Sequence, residues 1–257
     1  MQRLEGLARK AIQDYEMIQS GDRICVGVSG GKDSVALVTA LAHLRRYLGR
    51  EFSLVALTLD PQFGGQTTDY SPLVEYFASL DVEYHIQPTD IGRIIFEERK
   101  EPNPCALCAK FRRGMLHNKA KELGCNKVAL GHHLDDAIET FYMNLWKEGR
   151  IGCFSPVTYL SRKEITLIRP FLLAQESDIR RAVARTGMPV VKSRCPVDGH
   201  TTRESTKQFV EEMARKDKAF RQKTLTALQD SGIDGWAPVH QGRMKSRHSQ
   251  EESYEII

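Results

Sequence analysis

The chain has 257 residues, 41% of them hydrophobic, with 37 basic and 33 acidic side chains and a net charge of +4. That suits one large α/β domain, or a domain with a small appendage, and it is too nearly neutral for whole-chain charge to mark a nucleic-acid binder. No stretch reaches the apolar length of a membrane span and the N-terminus has no signal-peptide core, so a cytoplasmic protein without a membrane partner is expected.

Leu4, Leu7, Ala8, Ala11, Ile12 and Tyr15 recur at three and four, which predicts an amphipathic helix over residues 3–18. Such a helix packs equally well on its own body or on a twin subunit, so a homodimer stays open. Ile24 to Val28 reads as a short apolar strand, followed by the turn Ser29-Gly30-Gly31-Lys32-Asp33-Ser34 and an apolar-periodic helix from Val35 to about Leu48. Phe52 to Leu59 predicts a second strand ending at Asp60. Residues 61–69 are turn-forming, 72–80 helical, and Val82 to Ile86 a third strand.

Residues 97–104 form a polar, proline-broken loop that delivers Cys105-Ala106-Leu107-Cys108, with a helix expected from about Lys110 to Leu123. Lys127 to Leu130 predicts a fourth strand, running into Gly131-His132-His133-Leu134-Asp135-Asp136 and a helix to about Trp146. Gly149 to Pro156 reads as a loop, Ile165 to Ile168 as a fifth strand, Glu176 to Thr186 as a helix capped at Gly187, and Val190-Val191 as a short extended piece. Val210, Met213, Ala214, Phe220, Leu225 and Leu228 mark a last helical region. The tail after Gly232 shows little core material. Strands alternating with helices over residues 22–190 indicate a parallel sheet covered on both faces.

The turn at Ser29–Ser34 has the chemistry of a phosphate site. Gly30 and Gly31 let backbone approach a ligand, the following helix offers unpaired N–H groups, Lys32 brings a positive charge, and Ser34 a hydroxyl. It lacks the four-residue spacer of a Walker A loop. Asp60 and the 131–136 segment fall at C-terminal strand ends, one shared edge in an open α/β sheet. Asp33 and Asp136 suit Mg²⁺, Asp135 is a candidate helix cap, and His132 or His133 a candidate phosphate contact.

Six cysteines do not make a disulfide scaffold at this length. Cys25, Cys125 and Cys153 lie in or beside apolar stretches and read as packing residues. Cys105, Cys108 and Cys195 remain. The CxxC pair fits half a zinc site, a redox dithiol, or two ligands of an iron–sulfur cluster, with His200 or Asp198 able to complete a zinc set. A thioredoxin-like pair is disfavoured, because there the motif opens a helix straight after a strand. Arginine and lysine flank both cysteine segments, at Lys110, Arg112 and Arg113 and at Lys192 and Arg194, as a phosphate-backbone substrate would require.

The string SGGKDS resembles the signature of PP-loop ATP pyrophosphatases, which release pyrophosphate and leave AMP on a substrate. Taken with CxLCxxxRRG (Cys105, Leu107, Cys108, Arg112, Arg113, Gly114), LGHHLDD (Leu130–Asp136), Arg169-Pro170-Phe171 and the late Cys195, the chain resembles the TtcA-type tRNA 2-thiocytidine synthases of that superfamily. The resemblance implies a Rossmann-like PP-loop fold of the adenine nucleotide alpha hydrolase type. It implies ATP and Mg²⁺ as cofactors, adenylation of a tRNA base, and a [4Fe-4S] cluster on Cys105, Cys108 and Cys195 that carries sulfur to a cytidine of the anticodon loop. A cysteine desulfurase or another sulfide donor would supply that sulfur.

Carried over, Ser29, Gly30, Gly31, Lys32, Asp33 and Ser34 bind phosphates, with Lys32, Asp33 and the three cysteines in the chemistry. Asp60, Gly131 and His132 lie near the nucleotide, and Asp33 and Asp136 serve Mg²⁺. The corresponding organisation is an N-terminal helix at 1–20, a PP-loop domain at 21–192 and a cysteine-bearing segment with a helical appendage at 193–257. This chain departs from the family pattern at Cys195-Pro196-Val197-Asp198, where a second cysteine pair is usual. Three thiolates still leave one iron open. Outside that family, the residues also suit an adenylating enzyme that amidates or thiolates another acceptor, or a zinc-stabilised interaction protein.

Overall fold

A computed structural model describes residues 1–99, 102, 104–197 and 203–239. Within them β1 (Asp22–Gly27), β2 (Phe52–Asp60), β3 (Glu83–Pro88), β4 (Lys127–Ala129), β5 (Val157–Leu160) and β6 (Ile165–Ile168) form a six-stranded sheet in the order β3-β2-β1-β4-β6-β5. Every pairing is parallel except β5 with β6. The apolar runs of β1, β2 and β4 are buried almost throughout, as strands covered on both faces must be.

The pleat divides the core. Ile24, Val26, Leu54 and Ala56 point to one face, packed with α1 (Gln2–Asp14), α2 (Lys32–Leu44), α3 (Ser71–Ser79), α5 (Leu134–Lys147) and α6 (Glu176–Thr186). Cys25, Val55, Leu57 and Val128 point to the other, covered by Leu116 and Ala120 of α4 (Pro104–Glu122). The apolar stripe of α1 (Leu4, Ala8, Ala11, Ile12) is buried on the chain's own body. Two further helices, α7 (Arg203–Lys216) and α8 (Phe220–Ser231), lie against α5 and add Val210, Leu225 and Leu228 to the first core. None of the helices among the described residues is long and apolar enough to cross a membrane.

Three expectations change. The CxxC lies in the first turn of α4, not in the preceding loop, because Pro104 is the kind of residue that opens a helix. That does open a helix with CxxC, but a π-helical turn at Arg93–Glu98 separates it from β3, so a thioredoxin-like arrangement is still absent here. The antiparallel edge strand β5 was not expected: its side chains are only partly buried and carry little apolar signal. Finally, the tail contributes core after all. Trp236 is fully buried, its indole N–H donates to Phe154 O (2.9 Å), and Tyr15 Oη donates to Trp236 O (3.0 Å). Residues 240–257 and 198–202, with Asp198 and His200, lie outside the described residues.

β1 pairs with β2 on one side and β4 on the other, so the chain leaves the ends of β1 and β4 in opposite directions. Ligands of open α/β sheets bind in the crevice at that point. The turn at 29–34 sits there.

Candidate active site

The turn after β1 is held open by its own side chains. Ser34, buried at the start of α2, donates from Oγ to Gly31 O (2.9 Å) and accepts from Ser29 N (3.2 Å), while Ser29 Oγ accepts from Gly31 N (3.3 Å). No side chain caps α2, so its first N–H groups and the positive end of its dipole face the crevice. Gly30 has φ +86°, and a Cβ there would stand 3.0 Å from Val191 Cβ. Val191 N–H donates to Gly30 O (2.9 Å), so the extended 190–191 piece braces the turn. Gly131 lets the β4–α5 turn reach the first turn, since a Cβ would lie 3.3 Å from the Asp33 carbonyl carbon.

Lys32 Nζ lies 3.0 Å from Asp33 Oδ2 and 3.0 Å from Glu176 Oε1. Burial pulls the Lys32 ammonium pKa down, but the two carboxylates outweigh it and the net shift is upward. Burial likewise raises Glu176, yet Lys32, Lys207 and Arg180 together bring it to about 2. The second oxygen of Asp33, Oδ1, is buried with no hydrogen-bond partner among the described residues. An unpaired buried carboxylate oxygen is costly, and a divalent cation relieves that cost. Asp33 therefore fits a Mg²⁺ contact.

Several expected contacts are placed differently. Asp136, not Asp135, makes the α5 cap: His133 N donates to Asp136 Oδ2 (2.9 Å) and His133 Nδ1 accepts from Asp136 N (3.4 Å). Asp135 is buried, paired with Arg221 Nε (2.6 Å) and accepting from Glu176 N (2.7 Å). His133 is buried, while His132 is half-buried with its ring 5.0 Å from that of Phe154. The Arg169 guanidinium lies over the same ring at 5.0 Å, and burial lowers its pKa to about 10. Asp60 is 1% exposed, and its carboxylate accepts from Gln62 N (3.3 Å) and Thr68 N (3.2 Å), so it pins the 61–68 turn.

Beside the phosphate turn is a cavity of about 170 Å³, walled by Gly27, Val28, Leu57, Leu59, Arg112 and Leu116. Its apolar floor and two arginines (Arg112, Arg113) suit a flat ring with an anionic tail. Arg112 connects it to the cysteines. Burial pushes the Cys108 thiol pKa up, Arg112 opposes this, and the Cys195 and Cys105 thiols add to it. All three cysteines thus share one neighbourhood, Cys105 exposed and the others half-buried. Among the described residues no three His, Cys, Asp or Glu side chains are gathered as a finished metal site. The donor set is still three soft thiols, which suits iron or zinc. Cys25 and Cys125 are buried and Cys153 half-buried, as expected of packing residues.

The profile of the PP-loop domain matches residues 4–203. The tRNA-cytidine(32) 2-sulfurtransferase of Pelobacter propionicus is 38% identical over 231 residues, 89% of this chain and 85% of that protein. That of Geobacter sulfurreducens is 35% identical, covering 88% of each. The chain belongs to the tRNA-cytidine(32) 2-sulfurtransferase family of PP-loop proteins. In fold it is similar to the U34-tRNA thiolase NcsA from Methanococcus maripaludis, solved with its [4Fe-4S] cluster, at TM-score 0.71 and 20% identity over 99% of this chain and 81% of that one. In this member of the sulfurtransferase family, Glu176 and Val191 contact the phosphate turn, and Lys207 and Arg221 join it through Glu176 and Asp135, without having been singled out for it. Residues so far apart in sequence carry no local signal of their meeting.

Proposed function

We propose that this protein is an ATP-dependent tRNA sulfurtransferase that makes 2-thiocytidine in the anticodon loop. The observation that carries this is α4 itself. Its first turn presents Cys105 and Cys108, and one turn on Arg112, Arg113 and Leu116 wall the cavity beside the phosphate turn. One helix serves both the nucleotide and the sulfur chemistry.

The O2 oxygen of cytidine is a poor leaving group, and bonding it to the α-phosphorus of ATP, with pyrophosphate released, makes it leave as AMP. The N–H groups at the start of α2 and Lys32 balance the charge that develops on the transferring phosphoryl group. Ser29 and Ser34 hold the turn in shape for it, and Arg112 adds a positive wall. Asp33, with Asp136, would hold Mg²⁺, which neutralises triphosphate oxygens. Cys105, Cys108 and Cys195 would hold a [4Fe-4S] cluster, which supplies sulfur to the activated carbon. The basic side chains at 110–113 and 180–194 place the RNA backbone, and a cysteine desulfurase or another sulfide donor replenishes the sulfur.

The test is nucleotide consumption. With Mg²⁺, a sulfide source and cytidine-bearing tRNA the protein should release AMP and pyrophosphate in equal amounts, and tRNA lacking the acceptor cytidine should not stimulate this. Release of ADP, or AMP formation indifferent to tRNA, would contradict the reading.

A further inference from the structure

The 61–69 turn, the π-helical turn 93–98 and residues 194 and 196, beside Cys195 in the chain, enclose an open cleft of about 530 Å³. Phe63 and Phe96 form one wall, edge to face with ring centroids 5.7 Å apart, and both are half-buried. Arg194 and Pro196, the two neighbours of Cys195, form another. Arg194 straps the cysteine segment to the turn, donating to Gln66 Oε1 (2.5 Å) and Thr67 O (3.2 Å). Glu97 adds a carboxylate at the rim.

We propose that this cleft receives the pyrimidine ring of the acceptor nucleotide, turned out of the RNA, with Phe96 and Phe63 as its stacking wall. The proposal rests on the sulfurtransferase reading and adds where the acceptor sits. A base must leave its stack before chemistry is done on it, and proteins hold such bases against aromatic rings and arginine planes. The cleft offers both. Its polar groups match a cytosine edge: Glu97 and Gln66 Oε1 can accept from the exocyclic amine, and Arg194 and the Gln66 amide can donate to the ring acceptors. Its position meets the demand of two successive steps on one base, attack of its O2 on the ATP α-phosphorus and then attack of sulfur on the ring carbon that O2 leaves as AMP. Cys195 lies between two lining residues, and Leu59, in the wall of the nucleotide cavity, is followed after Asp60–Gln62 by Phe63.

The test is a double-mutant cycle on the full-length protein: RNA affinity measured by fluorescence anisotropy with an anticodon stem-loop bearing cytidine or an abasic ribose at the acceptor position. Loss of the base should weaken wild-type binding about 5- to 150-fold, the range for one base stacked on an aromatic ring. Phe96→Ala should bind the cytidine RNA as weakly as wild type binds the abasic one and no longer tell them apart, while Phe96→Tyr still discriminates. ATP affinity, unchanged in Phe96→Ala, shows that the variant is folded; should it be lost, Phe63→Ala on the same wall takes its place. Discrimination that persists in both alanine variants, or that wild type never shows, overturns the pocket. Intact discrimination without ATP-dependent sulfur transfer by the wild type would instead overturn the reaction and leave the pocket supported.

Discussion

Glu176 Oε1 stands 3.0 Å from Lys32 Nζ, joining the start of α6 to the phosphate turn. The same carboxylate faces Arg180 Nη2 at 3.2 Å and, through Oε2, Lys207 Nζ of α7 at 3.4 Å. The first helix beyond the Cys195 segment is therefore tied electrostatically, through Glu176, to the lysine of the phosphate turn. Glu176 is a positioning residue for Lys32.

Two substitutions separate these roles. In the proposed reaction Lys32 stabilises the transferring phosphoryl group, so Lys32→Ala should slow AMP formation about 10²- to 10³-fold, the usual cost of one such group. Glu176→Gln leaves the ammonium in place and still paired with Asp33, but without its second carboxylate, so a smaller loss in kcat with little change in KM for ATP is expected. Steady-state kinetics on both decide it; an unchanged kcat in Glu176→Gln contradicts the positioning role.

The depressed pKa of Glu176 also has a consequence for acid stability. Its folded value, about 2, lies below the ordinary 4.5. The ionised carboxylate therefore stabilises the fold fully above pH 4.5, and this contribution is lost as pH falls from there toward 2. Thermal unfolding followed from pH 6 downward should show a shallower acid slope in Glu176→Gln than in wild type; parallel slopes would refute the linkage.

Gly30 admits no side chain. Its positive φ and the 3.0 Å approach of Val191 mean that Gly30→Ala strains the backbone and pushes the brace away. A loss of about 1–2 kcal/mol in stability is expected from the backbone alone, with a larger proportional loss of ATP affinity. Denaturant unfolding and ATP titration on the same sample measure both. A variant that binds ATP normally would show that the brace is dispensable.

Trp236 is the largest fully buried side chain among the described residues. Trp236→Ala should cost about 3–5 kcal/mol, the range for emptying a buried aromatic site. Trp236→Phe, which fills most of the volume but forfeits the bond to Phe154 O, should cost about 1 kcal/mol. Chemical denaturation of the pair checks this; equal losses would mean that packing contributes little.

The sheet was legible wherever burial is two-sided, because β1, β2, β4 and β6 read as near-continuous apolar runs. The phosphate turn was legible too, since its glycines, lysine and serine stand in one short string. What local pattern could not reveal was long-range. Trp236 lies in a polar tail, yet it is buried by Tyr15 and Phe154 from distant parts of the chain. Asp135 and Asp136 are adjacent and alike in sequence, yet Asp135 is buried against Arg221 while Asp136 caps α5 at His133. The start of α4 was misjudged because the polar residues before Pro104 outweighed the helix signal of the proline itself.

The most direct test of the account is nucleoside mass spectrometry of tRNA incubated with anaerobically reconstituted protein, ATP, Mg²⁺ and a sulfide source. Wild type should form 2-thiocytidine only when ATP is present. Cys195→Ser should form none while binding ATP as wild type does, with most of its iron and acid-labile sulfide gone. Thiocytidine made equally well by Cys195→Ser, or none made by an iron-loaded wild type that hydrolyses ATP, would contradict the claim that the nucleotide turn and the three cysteines work as one site.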